Sequence, residues 1–281
     1  MTRTERWASG ILAVLAVPTV IVPMMAQQDP LAIDDVLGAR LVGPFSTDDA
    51  GRFHLLGTDR FGRDLFVRMM LAGRLSLAIG VGGSALAGLI GVAVGAAAGW
   101  WRGAFDRLAM AVSDAMLAIP RLILLLMCAA LWRPGTATVL VVLAATGWMG
   151  VARLVRAEVI GARELPGADA ARAIGSTPLR VLARHVLPNA MGPAIVATTL
   201  GVGNAILLES GLAFLGLGVQ PPQPSWGNMI AGGRELIVTA PWVAIAPGVA
   251  LILTVLGCTL LGDAMRDRLA GEVVSTLGDR A

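Results

Sequence analysis

The 281-residue sequence contains no lysine and no tyrosine, and all 22 of its basic residues are arginine. Without lysine the chain cannot supply the phosphate-gripping side chain of a Walker A loop, and it cannot form a Schiff base with pyridoxal phosphate. Whatever work the chain does, its energy source must lie elsewhere. Histidine and cysteine are scarce, with two of each: His54, His185, Cys128 and Cys258. Both histidines lie outside the apolar runs, so none can face a serine at membrane depth as an intramembrane serine protease requires. Four scattered side chains give no tetrahedral ligand cluster, and neither a metal nor a cofactor is expected. The cysteines fall inside apolar runs and read as small buried hydrophobes with no disulfide or redox role. Charge is also low, at 15% of residues, where soluble domains carry roughly a quarter.

What is present is apolar. The chain is 56% hydrophobic with a mean hydropathy of +0.75, and 35 glycines are nearly twice the usual share of about 7%. Such a composition describes an all-α polytopic membrane protein whose helices approach closely at glycine. Runs long enough to cross a bilayer occur at 7–26, 75–101, 115–132, 136–152, 194–217 and 238–262, which predicts six transmembrane helices. Arg3 and Arg6 precede the first run as in a signal peptide, but no clean A-x-A-like site follows it, so it reads as a retained anchor. With the N-terminus inside, fourteen arginines lie on the cytoplasmic side and eight outside, which favours N-in and C-in. The chain then divides into 1–26, a tail and first helix; 27–74, an external loop; 75–262, a core of five helices; and 263–281, a cytoplasmic tail.

Within the second run Gly80, Ser84, Gly88, Gly91, Gly95 and Gly99 recur at spacings of three and four, which predicts one helix-packing stripe. Trp226 reads most simply as an interfacial anchor, like Trp100 and Trp101 at the other face. Glu209 is the acidic residue well inside a span. Two readings of it stand: a gate or contact with a peptide amine, and a structural hydrogen bond to the external loop or to an arginine such as Arg234. Asp114 opens the third span near the cytoplasmic face.

Two polar segments are too patterned to be plain connectors. The cytoplasmic one, 153–189, reads as a helical hairpin: Asp169 to Ile174 favour helix, Gly175 can end it in the left-handed conformation, and Ser176 or Thr177 can cap a second helix with Pro178 at its first position. Leu179, Leu182, Val186 and Val181 then form an apolar stripe, Arg180, Arg184 and His185 lie off it, and Leu187-Pro188 is expected to stop the helix. By chemistry alone this hairpin suits either the lipid headgroups or a cytosolic partner. The external segment ends in Gly57-Thr58-Asp59-Arg60-Phe61-Gly62-Arg63-Asp64, a compact charged motif. Its charges read either as an internal salt-bridge network or as a platform at the mouth of a pathway.

Asp169-Ala170-Ala171, three residues, Gly175, twelve residues and Pro188 resemble the EAA loop of ABC-importer permeases, with Asp where that family usually has Glu. The motif from Gly57 to Asp64, Gly73-Arg74-Leu75-Ser76-Leu77, the stretch from Phe214 to Pro222 running into Pro224-Ser225-Trp226-Gly227, and Leu261-Gly262-Asp263-Ala264-Met265-Arg266-Asp267 are similar to the dipeptide and oligopeptide permease C subfamily. Thr259 stands where that family commonly has Asn, and Ala270-Gly271 where it has Asp-Pro. The resemblance implies the type I importer permease fold in a bacterial inner membrane. It implies a homologous second permease, two cytosolic ATPase subunits and an extracytoplasmic binding protein as partners, and no nucleic acid. It further implies that Asp169, Ala170, Ala171, Gly175, Arg180, Arg184, Leu187 and Pro188 couple to the ATPase. By the same resemblance Gly57, Thr58, Asp59, Gly62, Arg63, Asp64 and Trp226 form the external mouth and meet the binding protein. Peptides are the cargo implied; nickel, opines or another small polar solute is the alternative, because those importers share the motifs. A lone ion-coupled transporter titrating at Glu209 is the competing class.

Overall fold

A computed structural model describes residues 3–26, 31 and 38–278, with the side chains of residues 3 and 270–278 excepted. Residues 27–30 and 32–37 of the expected external loop, and 279–281 with Arg280, lie outside the described residues. Helix α1 (Arg3–Met25) is followed by a two-strand hairpin, β1 (Ser46–Thr47) with β2 (Phe53–His54), and then by α2 (Leu65–Trp101). Next come α3 (Gly103–Ala118), α4 (Arg121–Leu131) and α5 (Thr136–Ala162). The cytoplasmic hairpin holds α6 (Pro166–Ala173) and α7 (Pro178–Val181), and α8 (Leu187–Phe214), the short α9 (Trp226–Gly233) and α10 (Trp242–Gly278) complete the chain.

Among the described residues, five helices are long and apolar enough to span a membrane, and a sixth span is reached only if the bent pair α3 and α4 is counted as one. The expected straight span at 115–132 is thus replaced by a break of 97°. Proline explains it. Pro120 has no N–H to donate and forces the preceding Ile119 into an extended conformation, φ −87° and ψ 131°, which ends α3 before it. Other boundaries also move. Helix α2 starts ten residues before the apolar run at 75, because Asp64 caps its first turn by accepting the Val67 N–H at 3.0 Å. Helix α5 runs ten residues past 152, and there Arg153 pairs with Asp114 at 3.3 Å and Arg156 grips Asp106 with two nitrogens, so the polar end of the helix is held against α3.

The centre of the bundle is the pair α2 and α5, with α8 packed on both. The small-residue positions of α2 serve two faces rather than one stripe. A Cβ on Gly91 would lie 2.6 Å from Val151 Cβ, one on Gly99 would lie 2.9 Å from the Arg156 carbonyl, and one on Gly95 would run into the carbonyl of Ala152, all on α5. Gly80, Ser84 and Gly88 turn instead to α8: Gly80 meets Ile206, Gly88 meets Thr198, and the Ser84 hydroxyl donates to the Thr198 carbonyl at 2.6 Å. The three-residue step from Gly88 to Gly91 rotates the contact from one neighbour to the other. Helix α1 leans on α2 and α10, and buried Glu5 lies 4.0 Å from Arg268, so the start of α1 and the end of α10 share one side. Outward positions such as Leu89, Val14 and Ile252 are exposed and apolar, as a lipid-facing surface requires.

Gly95→Leu is expected to separate α2 from α5 at a cost of about 1–3 kcal/mol, the usual range for overpacking. Detergent-extracted protein should lose yield and monodispersity in size-exclusion chromatography; an unchanged profile would mean that α5 is not the neighbour of this face.

Candidate functional site

Two polar regions stand at opposite ends of the bundle. At the cytoplasmic end α6 closes in a Schellman arrangement: the Gly175 N–H donates to the Arg172 carbonyl and the Ser176 N–H to the Ala171 carbonyl, both at 3.0 Å. Gly175 has φ +84° with no atom near its missing Cβ, so the turn needs glycine for its backbone and not for space. Thr177 is the N-cap residue of α7 and makes no side-chain cap bond, with Pro178 at the first helical position. Leu187-Pro188 does not stop the helix. A wide π turn over 182–186, in which the Leu187 N–H reaches the Leu182 carbonyl, leads from α7 into α8 and absorbs the proline that lacks an N–H.

The buried stripe of the hairpin is Val181, Leu182 and Val186, packed with Val155, Val159, Ala168 and Ala171. Its apolar face is therefore spent on its own bundle. Leu179 does not join it: Leu179 and Ile174 project from the tip, 62% and 84% exposed, beside exposed Arg180 and Arg184. Of the Asp-Ala-Ala triplet, Ala171 is buried against the bundle while Asp169 and Ala170 face out. Asp169 accepts from Arg172 at 2.6 Å, and Arg172 also donates to the Arg163 carbonyl at 2.9 Å. Arg163 and Arg172 both stack on the Trp100 ring, at 5.6 and 5.7 Å, so this tryptophan ties α2 to the hairpin.

At the outer end Thr58 and Asp59 are buried, and the charged motif is a closed knot. The Thr58 hydroxyl donates to the Ala39 carbonyl at 2.5 Å and accepts the Val42 N–H at 2.8 Å. Asp59 accepts the N–H groups of Phe61 and Arg63 at 2.8 and 3.1 Å on one oxygen, and the Arg63 guanidinium at 2.7–2.8 Å on the other. Gly57 and Gly62 take φ of +78° and +76°, and a Cβ on Gly57 would meet the Val42 carbonyl. Asp64 caps α2 and lies 2.7 Å from His54 Nδ1, while His54 Nε2 lies 3.4 Å from Asp48. Burial of Asp48 opposes its charge, but the Arg52 N–H and guanidinium and the contact with His54 outweigh it and hold the carboxyl at about 2. Between this knot and the loop before α9 lies a cavity of about 460 Å³.

Trp226 is wholly buried rather than interfacial: its indole N–H donates to the Met69 carbonyl at 3.1 Å and its backbone N–H to the Ser76 hydroxyl at 3.0 Å. Glu209 is also fully buried and accepts from the Ser225 hydroxyl at 2.8 Å. Ser225 forms a capping box with Asn228, so Glu209 props the start of α9. Arg234 lies over Phe214 at 5.5 Å and close to Glu235. Three features escape a sequence reading: the Asp106–Arg156 pair and the stacking on Trp100, whose partners are distant in the chain, and the contact of His54 with two carboxylates, which depends on how the loop folds back.

Residues 74–274 match the family described as binding-protein-dependent transport system inner membrane component. The chain is 41% identical to a putative peptide transport system permease protein of Brucella suis, over 78% of this chain and 74% of that one. It is 39% identical to the dipeptide transport system permease protein of Alkalihalophilus pseudofirmus, over 84% and 76%. It is also 36% identical to the oligopeptide transport system permease protein of Bacillus subtilis, over 77% and 71%. Among solved structures it is similar to a chain of the MetNI methionine ABC transporter in inward-facing conformations, with a TM-score of 0.57 and 22% identity over 72% of this chain and 95% of that one.

Because the Asp48 carboxyl is depressed in the folded state, its contribution is complete above the ordinary carboxylate pKa of about 4 and fades as pH falls through about 2. Hydrogen exchange across 52–58 should therefore stay slow from pH 7 to pH 4 in the native chain, and Asp48→Asn should speed it at pH 7. Equal exchange in the two proteins at pH 7 would show that Asp48 does not hold the loop.

Proposed function

The chain belongs to the family of binding-protein-dependent transport system inner membrane components, and from that premise we propose that it lines, with a homologous second permease, the pathway that carries peptides into the cytoplasm. It is a membrane-embedded permease subunit of an ABC importer and a transport component rather than an enzyme. In this proposal nucleotide binding falls to two partner ATPases, consistent with a chain that has no lysine for a Walker A loop. The observation that carries the coupling reading is the hairpin tip, where Ile174, Leu179, Arg180 and Arg184 project from a stem locked to α5 and stacked on Trp100 of α2. In this reading Asp169, Ala170, Arg180 and Arg184 face the ATPase. Gly175 sets the angle of the tip, and the π turn from Leu182 through Leu187 and Pro188 passes its displacement into α8. A push on such a tip moves α2, α5 and α8 together, which is the rigid-body rocking that opens one face while closing the other.

At the outer end, in this proposal, the knot from Gly57 to Asp64 receives the binding protein, and Glu209 and Trp226 hold α9 as a plug beneath it. Peptide cargo is supported by the relatives named as peptide, dipeptide and oligopeptide permeases.

Proteoliposomes carrying both permeases, the ATPases and the binding protein should accumulate peptide only with ATP, and uptake by this chain alone would refute the proposal. Gly175→Val places a β-branched residue at φ +84°, a strain on the order of 1–2 kcal/mol. Membrane insertion should be unchanged while ATPase capture and peptide uptake fall together, and Gly175→Asn, which tolerates this conformation, should retain most of both. Full uptake by Gly175→Val would remove the turn from the coupling path.

A further inference from the structure

The outer cavity of about 460 Å³ is within the range of small-ligand pockets, roughly 300–1,000 Å³, and one of its walls is cationic beyond its own needs. Among the described residues, Arg60, Arg63 and Arg68 line it against the single carboxylate of Asp59. Asp59 is already occupied by two backbone N–H groups and the guanidinium fork of Arg63. Arg68 Nε stands 3.7 Å from it, beyond hydrogen-bonding distance, and Arg68 Nη1 is buried with no hydrogen-bond partner. Arg60 has no acidic partner among the described residues and lies over the Phe61 ring at 4.8 Å. A buried guanidinium nitrogen without an acceptor is costly, and three guanidiniums set against one carboxylate favour a second carboxylate, which arginine binds through paired hydrogen bonds. The rest of the lining is mainly apolar, with Pro222, Met229, Leu236 and Val243 beside the polar Gln223 and Asn228.

We propose that this cavity binds the free α-carboxylate of peptide cargo, with Arg60 and Arg68 holding the carboxylate and the apolar part of the lining taking the C-terminal side chain. The site rests on the peptide-importer reading and adds to it a chemical preference expressed by the permease itself. It would hold cargo at the outer face between release from the binding protein and entry into the pathway.

The test uses the assembled transporter in nanodiscs without its binding protein, labelled by photo-crosslinking with alanyl-photoleucine as the free acid and as the C-terminal amide. The acid should label residues within 60–68 or 221–243, with the amide weaker by at least about tenfold, the loss of one charge-assisted hydrogen bond. Arg60→Gln, at an exposed position, should weaken acid labelling without disturbing the fold, and Arg68→Gln should weaken it further. Equal labelling by acid and amide, or labelling outside these segments, overturns the site. Weakened docking of the binding protein in Arg60→Gln with unchanged acid labelling would assign the arginines to a protein carboxylate and also overturn it. ATP-driven uptake measured in the complete system reports on the importer reading separately, so normal uptake without acid preference refutes the site alone.

Discussion

Gly91, Gly95 and Gly99 bring the backbone of α2 against the backbone of α5, and the spacing of these two helices governs how the rest of the bundle fits. In lipid there is no hydrophobic gain from burying one apolar helix on another, so close approach, and the dispersion contacts it allows, is what holds such helices together. The same rod uses its other small residues, Gly80, Ser84 and Gly88, to admit α8. One helix therefore organises two neighbours through positions where side chains are missing or short.

That geometry decides what the two ends can do. Near the cytoplasmic end the Asp106–Arg156 pair and the stacking of Arg163 and Arg172 on Trp100 join α3, α5 and the hairpin to the foot of the central pair. Val181, Leu182 and Val186 of the hairpin are buried in its own bundle while Ile174 and Leu179 stay exposed at its tip, and in the proposed function force on that tip has a stiff path inward. At the outer end the motif around Asp59 spends its polar groups on closing the loop over α2. Thr58, Asp59 and Trp226 act from within, holding a surface on which Arg60 is exposed and Arg63 and Asp64 are half-buried.

The helices were legible in the sequence because apolar length is dictated by the bilayer, and the hairpin turn was legible because Gly175 and Pro178 have local conformational meanings. Local rules also misled where tertiary contacts override them. Pro188 reads as a helix stop, yet a π turn carries the chain past it; the run at 115–132 reads as one span, yet Pro120 divides it by a sharp bend. Trp226 looks like a membrane-surface anchor until its two hydrogen bonds to α2 are seen. Arg68 counts in sequence only as an external charge, and its orphaned nitrogen exists because the knot at Asp59 folds over it.

By itself the sequence determined that the chain lives in a membrane, that it cannot handle nucleotide through a lysine, and that its cytoplasmic segment carries a glycine-hinged hairpin. These follow from composition and from conformational preferences that act over a few residues. The tertiary structure alone decided which face of each element is free. Val181 is buried while Leu179 is not, Glu209 braces α9 through Ser225, and three arginines gather at one cavity. Such pairings join residues far apart in the chain, as the 157 positions between Trp226 and Met69 illustrate, and no local pattern encodes them because packing selects the partners.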